Sequence, residues 1–204
     1  MIWQNNLRES KLEYTLKESI NFWASIGAKM SKRKRAFLLA DVIVLIVLVA
    51  LDQVTKYWAI LKLKNQPAIP IISGVFELKY LENRGAAFGV LQNQKVFFLI
   101  MSVIILCGVV FVLYKVPDEK KYNLLHIIAV MIAGGGIGNM IDRLRFDYVV
   151  DFLSFVLINF PIFNVADMYV TISMAILVVL VLFVYKEEDF SFLTLKRKKI
   201  SGDK

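Results

Sequence analysis

The stretch AFLLADVIVLIVLVALDQVTKYW, residues 36–58, decides the fold class. Asp41 is its only charge before Asp52, and Lys56 follows Asp52 one helical turn later. At 1.5 Å per residue such a run crosses a hydrocarbon core of roughly 30 Å, which takes about 20 residues. Three more segments of this kind follow at 96–114, 124–141 and 168–185, and the first and last of these three contain no Asp, Glu, Lys or Arg. Four transmembrane helices are therefore predicted. The first segment does not read as a cleavable signal peptide: no A-x-A-type site follows it, and further spans do.

Composition agrees. The 204 residues are 58% hydrophobic, yet 21% are charged and the net charge is +8; mean hydropathy is +0.61. Soluble chains run at about 45–50% apolar, so apolar and charged residues must be segregated along this one. A single cysteine, Cys107, and a single histidine, His126, argue against a disulfide scaffold and a protein-only zinc site. They also leave little room for Cys–His or Ser–His–Asp catalysis. No metal and no cofactor are expected. The chemistry must come from carboxylates, amides, lysines, arginines and hydroxyls.

Basic residues set the orientation. Lys29, Lys32, Arg33, Lys34 and Arg35 precede the first segment; Lys115, Lys120 and Lys121 separate the second from the third; Lys196, Arg197, Lys198 and Lys199 follow the fourth. The positive-inside rule places all three groups, and so both termini, in the cytoplasm. The connections at about 59–95 and 142–167 then face outward. In the first, Phe76, Leu78 and Tyr80 alternate with Glu77 and Lys79, a period-2 strand signal, with Pro67, Pro70 and Gly74 punctuating the run before it. The expected fold is an all-α membrane protein of four transmembrane helices with a small extracytoplasmic β-sheet between helices 1 and 2.

Three regions follow. Residues 30–187 form the four-helix domain, and 188–204 a basic cytoplasmic tail that reads as a positive-inside anchor, with binding to anionic lipid headgroups a further reading and nucleic acid disfavoured. Residues 1–29 carry Leu12, Leu16, Ile20, Trp23 and Ile26 at helical spacing. They read either as an interfacial amphipathic helix or as a stretch preceding a working start at Met30.

With that topology, polar groups converge at the outer boundary: Asp52 with Lys56, Asn83-Arg84-Gly85-Ala86-Ala87-Phe88, Gly134 to Asn139, Asp142-Arg143, Val149-Val150-Asp151-Phe152, and Phe163-Asn164-Val165-Ala166-Asp167. Ionisable groups near a bilayer core are costly and point to function. Each also has a plainer reading. Asp52 with Lys56, one turn apart, and Asp142 with Arg143 read as ion pairs; Gly134 and Gly138 read as a helix-packing G-x-x-x-G; Asp167 reads as a favourable acid at a helix start. Asp41 is expected to snorkel or pair, His126 to be structural, and Glu187, Glu188 and Asp189 to be solvated. Asp151 and Asp167 flank one short outward segment. Two carboxylates that share a proton can divide the work, one activating water and the other polarising a carbonyl. A small transporter whose acids carry protons or cations is the alternative, although the acids cluster at one end. A serine–lysine peptidase using Lys56 with Ser73 or Ser154 is a weaker one.

This ordered set over residues 30–187 resembles lipoprotein signal peptidase, the bacterial signal peptidase II family. The resemblance implies an aspartic endopeptidase of the bacterial cytoplasmic (inner) membrane, a multi-pass monomer with its site near the extracytoplasmic face. Its substrates would be diacylglyceryl-modified prolipoproteins, cut before the lipidated cysteine, with membrane lipids as its other partners. Asp151 and Asp167 would be the catalytic pair. Asn164 and Asn139 would orient that pair or hold the substrate backbone, Arg143 would bond the substrate main chain, Asn83 and Gly85 would line the sheet, and Asp52, Lys56 and Asp142 would support the site. Gly136 stands where the family usually has alanine.

Overall fold

The structure, a computed structural model, describes residues 31–85 and 91–193. The helical spacing within 1–29, the Ala86-Ala87-Phe88 part of the asparagine motif and the Lys196–Lys199 cluster lie outside the described residues. Residues 41–204 make one compact unit and 1–40 another. Of the latter only residues 31–40 are described, chiefly as the first turns of a helix.

Four helices are long and apolar enough to cross a membrane: α1 (Lys32–Leu63), α2 (Lys95–Lys115), α3 (Asn123–Phe146) and α4 (Val165–Phe183). All four exceed the predicted segments or shift from them by a few residues, because a helix continues past its apolar stretch for as long as polar side chains find partners. Asp142 and Arg143 therefore belong to α3, which ends at Asp147 in the left-handed conformation with φ 66°. No residue of α2 is buried. An apolar helix with no buried residue is stable only against lipid.

The contacts establish an up-and-down bundle. At one end α1 and α3 meet the first turn of α4 in the polar cluster described below, and Lys95 at the start of α2 pairs with Asp147 at the end of α3. At the other end Asp41 of α1 meets His126 of α3, Nδ1 to Oδ2 at 2.6 Å. A core of Val116, Tyr122, Leu125, Ile128, Leu180 and Tyr185 closes that end. The 3₁₀ turn Glu187–Leu193 folds back on it. Tyr185 donates to the carbonyl of Lys121 (2.8 Å), and Lys121 pairs with Asp189 (2.8 Å). Asp189 is thus an anchoring acid, not a freely solvated one. Asp41, half-buried beside the buried His126, is paired rather than snorkelling.

The expected sheet lies between α1 and α2. β1 (Ile69–Ile72) and β2 (Phe76–Asn83) form a hairpin whose turn holds Gly74 at φ 71°. A third strand, β3 (Val149–Phe155), joins antiparallel to β2 from the connection after α3. Its Val-Val-Asp-Phe run has a near-continuous buried face, so it lacks the alternation that reveals a strand. Ala59 and Leu63 of α1 pack on Val150 and Phe152 and fasten the sheet to the helical end.

A bulge in β2 decides which side chains meet. Leu78 pairs with Leu153, but Leu81 pairs with Asp151, so one extra residue intervenes on β2. Side chains alternate faces, and a one-residue slip exchanges them. Carried on unbroken, the first register would set Glu82 on the face of Asp151. The bulge sets Asn83 there instead and turns Glu82 away toward Lys64, 2.9 Å distant.

Candidate active site

α4 begins with a capping box. The Asn164 side-chain oxygen accepts from Asp167 N–H (3.0 Å), and the Asp167 carboxylate accepts from Asn164 N–H (3.1 Å). This satisfies helix-end donors that would otherwise be orphaned. The remaining amide of Asn164, fully buried, donates to Asp151 Oδ1 at 2.6 Å and to Asn139 Oδ1 at 3.2 Å. One asparagine therefore ties both aspartates together. Asn83 Nδ2 donates to the other oxygen of Asp151 (2.8 Å) and Asn139 Nδ2 to the other oxygen of Asp167 (2.7 Å). Each carboxylate oxygen of the pair thus accepts one bond. Gly85 N–H in turn holds the Asn83 oxygen at 3.0 Å.

The orientation of Asn139 comes from beneath. Lys56 Nζ donates to Asn139 Oδ1 (2.8 Å) and sits 3.0 Å from both Asp52 Oδ2 and Asp142 Oδ2. With its oxygen fixed by an ammonium, Asn139 can present only its NH₂ to Asp167. The other Asp52 oxygen accepts from Ala166 N–H in the first turn of α4 (2.9 Å), and Asp142 Oδ2 also accepts from Val150 N–H of β3 (3.0 Å). Gln53 Nε2 lies 3.2 Å from Asp52 and 3.0 Å from Asp142. These two acids are committed to joining helices and strand. Asp142 pairs with Lys56, not with its neighbour Arg143 as its sequence position suggested. The hydrogen-bond partners of Lys56 among the described residues are Asp52, Asp142 and Asn139; neither Ser73 nor Ser154 is one.

Close approach of α3 makes this possible. A Cβ on Gly138 would collide with the Asp52 carboxylate, and one on Gly135 would stand 2.5 Å from the Ala166 carbonyl oxygen. Gly134 packs on Leu48 of α1, while a Cβ on Gly136 would meet nothing within 4 Å. The packing role foreseen for Gly134 and Gly138 thus extends to Gly135. Alanine fits at Gly136, where the sequence departs from its family pattern.

Asp151 and Asp167 line a cavity of about 480 Å³ together with Asn83, Gly85, Asn139 and Arg143. Its remaining walls are largely apolar, from Phe155, Phe160, Ile162, Phe163, Met168 and Ile172. Burial first, and then the charge of Asp167, push the Asp151 carboxyl up to about 7, against the bonds from Asn83 and Asn164 that favour its ionised form. A carboxyl in this position carries a proton near neutral pH and can give it up. Every site residue expected from the sequence is brought into this one cluster. Gln53 and Ala166 stand in the motifs that gather at this end, but their contacts with Asp142 and Asp52 and the β2 bulge had no distinguishing sequence signal.

A family model described as signal peptidase (SPase) II matches residues 43–183, which include all of the cluster. The chain belongs to the signal peptidase II family. A lipoprotein signal peptidase of Streptococcus thermophilus (strain CNRZ 1066) is 42% identical over 149 residues, 73% of this chain and 94% of that protein. One from Streptococcus pyogenes serotype M5 (strain Manfredo) is 40% identical over 158 residues, 78% of this chain and 98% of that one. A solved structure described as a bacterial membrane enzyme, obtained by the in meso method at 2.3 Å resolution, is 30% identical with a TM-score of 0.62, covering 78% of this chain and 94% of its own. A second, at 1.9 Å, is 28% identical with the same TM-score. As a signal peptidase II with four apolar helices, the chain is a multi-pass peptidase of the bacterial inner membrane.

Proposed function

We propose that the chain is an aspartic endopeptidase that removes the signal peptide from diacylglyceryl-modified prolipoproteins by cutting just before the lipidated cysteine. Asp151 and Asp167 are its catalytic pair. The observation that carries this reading is Asn164, which binds both carboxylates at the wall of one cavity. Family membership as a peptidase weighs against the transporter alternative.

In this mechanism the pair holds one proton. The ionised member takes a proton from a water molecule as that water attacks the scissile carbonyl carbon. The protonated member gives its proton to the carbonyl oxygen, forming a tetrahedral diol. Collapse of the diol breaks the C–N bond: the protonated member gives its proton to the leaving amine, the ionised member takes one from a diol hydroxyl as the carbonyl re-forms, and the pair again holds one proton. The elevated Asp151 carboxyl suits it to hold that proton, although two coupled acids titrate as a unit. Asn139 and Asn164 keep the carboxylates aimed at the cavity, and the apolar wall accepts a lipid-linked substrate from the bilayer. With the basic clusters and both termini in the cytoplasm, the scissile bond meets the pair near the extracytoplasmic face.

Asp151→Asn and Asp167→Asn each abolish processing of a lipidated prolipoprotein by the purified enzyme while insertion into the membrane is retained. Normal processing by either variant removes that residue from the mechanism. Activity persists in chelator; complete loss that zinc restores overturns the two-carboxylate reading.

A further inference from the structure

Arg143 is the cation of the cavity wall. Asp167 of α4, Asp151 of β3 and Asp142 of its own helix are the acids that act on it electrostatically, and Lys56 of α1 acts on Asp151 and pairs with Asp142. Yet among the described residues no carboxylate forms an ion pair with Arg143. Among the same residues its one hydrogen bond runs back to the carbonyl of Asn139 on its own helix, at the long distance of 3.5 Å. A guanidinium has five N–H donors and prefers a bidentate carboxylate, so something holds this one off its neighbours.

That contact comes from α2. The guanidinium carbon of Arg143 lies 4.5 Å from the centroid of the Phe98 ring, well inside the range over which an aromatic face attracts a cation. α2 supplies no residue to the cavity lining itself, so Phe98 reaches the site through Arg143. A cation held over a ring leaves its in-plane N–H edge open. Released from the ring, it would be drawn to Asp167 and Asp151. A cation bonded there favours the fully ionised pair and removes the shared proton that hydrolysis needs.

We propose that Phe98 is a positioning residue for peptide hydrolysis: its ring holds the Arg143 guanidinium at the cavity wall, off the aspartate pair and with its N–H edge open to the oxygen of the bond being cut. This rests on Asp151 and Asp167 being the catalytic pair.

The test uses the full-length purified enzyme and a lipidated prolipoprotein substrate. Phe98→Met keeps an apolar side chain of similar reach without a ring face. It lowers kcat about tenfold, the effect of one well-placed cation–π contact, with KM within about twofold. It also shifts the basic limb of the pH profile of kcat/KM to lower pH as Arg143 settles on the pair. Phe98→Tyr and Phe98→Trp restore both readouts. In an Arg143→Gln background, Phe98→Met has no further effect. A kcat for Phe98→Met within twofold of wild type overturns the proposal. So does a fall in kcat with the pH profile unmoved, or one that multiplies with that of Arg143→Gln, since either marks packing alone. Phe98→Tyr replaces Phe98→Met as the deciding variant if the latter does not fold: an activity loss as deep as that of Arg143→Gln would then count against the ring. Asp151→Asn and Asp167→Asn serve as controls. If they remain active the catalytic-pair reading fails, whereas dead aspartate variants beside a fully active Phe98→Met refute the role of Phe98 alone.

Discussion

Lys56→Met probes the charge arrangement under the site most directly. Lys56 is 2% exposed, and Asp52 and Asp142 are 0% and 1% exposed. Its ammonium stands 3.0 Å from each. At an effective dielectric of about 20, each contact amounts to roughly 5–6 kcal/mol of attraction, largely offset by the desolvation of three ions. Removing the ammonium leaves two buried carboxylates sharing only the Gln53 amide and backbone N–H donors. Breaking a buried pair in this way costs about 3–5 kcal/mol. For a chain of this size that is a fall in apparent Tm on the order of 10 °C. Thermal unfolding in detergent measures it. Lys56→Met with Asp142→Asn removes one of the stranded charges and recovers at least half of the loss. A Lys56→Met protein that melts within about 2 °C of wild type refutes the argument, because the two acids would then not depend on the cation.

Processing should decline above about pH 7, where Asp151 loses its proton, by about tenfold per unit once the pair is fully ionised; a profile flat to pH 9 contradicts this. The same carboxyl links pH to stability. Its value in the folded chain lies above the ordinary 3.8, so its contribution is fully present below about 3.8 and is lost as pH rises through about 7. Asp151→Asn should flatten that part of the melting-temperature profile. Gly138→Ala should destabilise by about 1–3 kcal/mol, since its Cβ meets the buried Asp52 carboxylate, while Gly136→Ala should be neutral or slightly stabilising; equal melting temperatures for the two would argue against the close approach of α3. His126→Leu strands Asp41 in a largely buried position and should cost about 3 kcal/mol. The double variant with Asp41→Asn should lose less, as a double-mutant cycle would show.

Much of this protein was legible before any fold was known. Apolar run length against bilayer thickness is a local property, so the four helices can be read from residues 36–58 and their three counterparts. The same holds for the pairing of Asp52 with Lys56, which one helical turn dictates. Asp167 as an acid at a helix start is local too, and polar motifs gathering at one end follow from an up-and-down order alone. What remained hidden depends on contacts between distant residues. Asp142 takes Lys56 rather than Arg143 because α1 and α3 approach closely at Gly138. Asn83 rather than Glu82 faces Asp151 because of one extra residue in β2. Arg143 lies over Phe98, 45 positions earlier in the chain. The sequence by itself determined which side chains are available for chemistry and that the polar motifs gather at one end, since lipid excludes charge from the middle of the spans. Only the tertiary structure decided which of those acids are spent on holding helices together and which two share an asparagine at a cavity wall. Hydrogen-bond geometry is set within tenths of an ångström, and only packing between elements fixes it that finely.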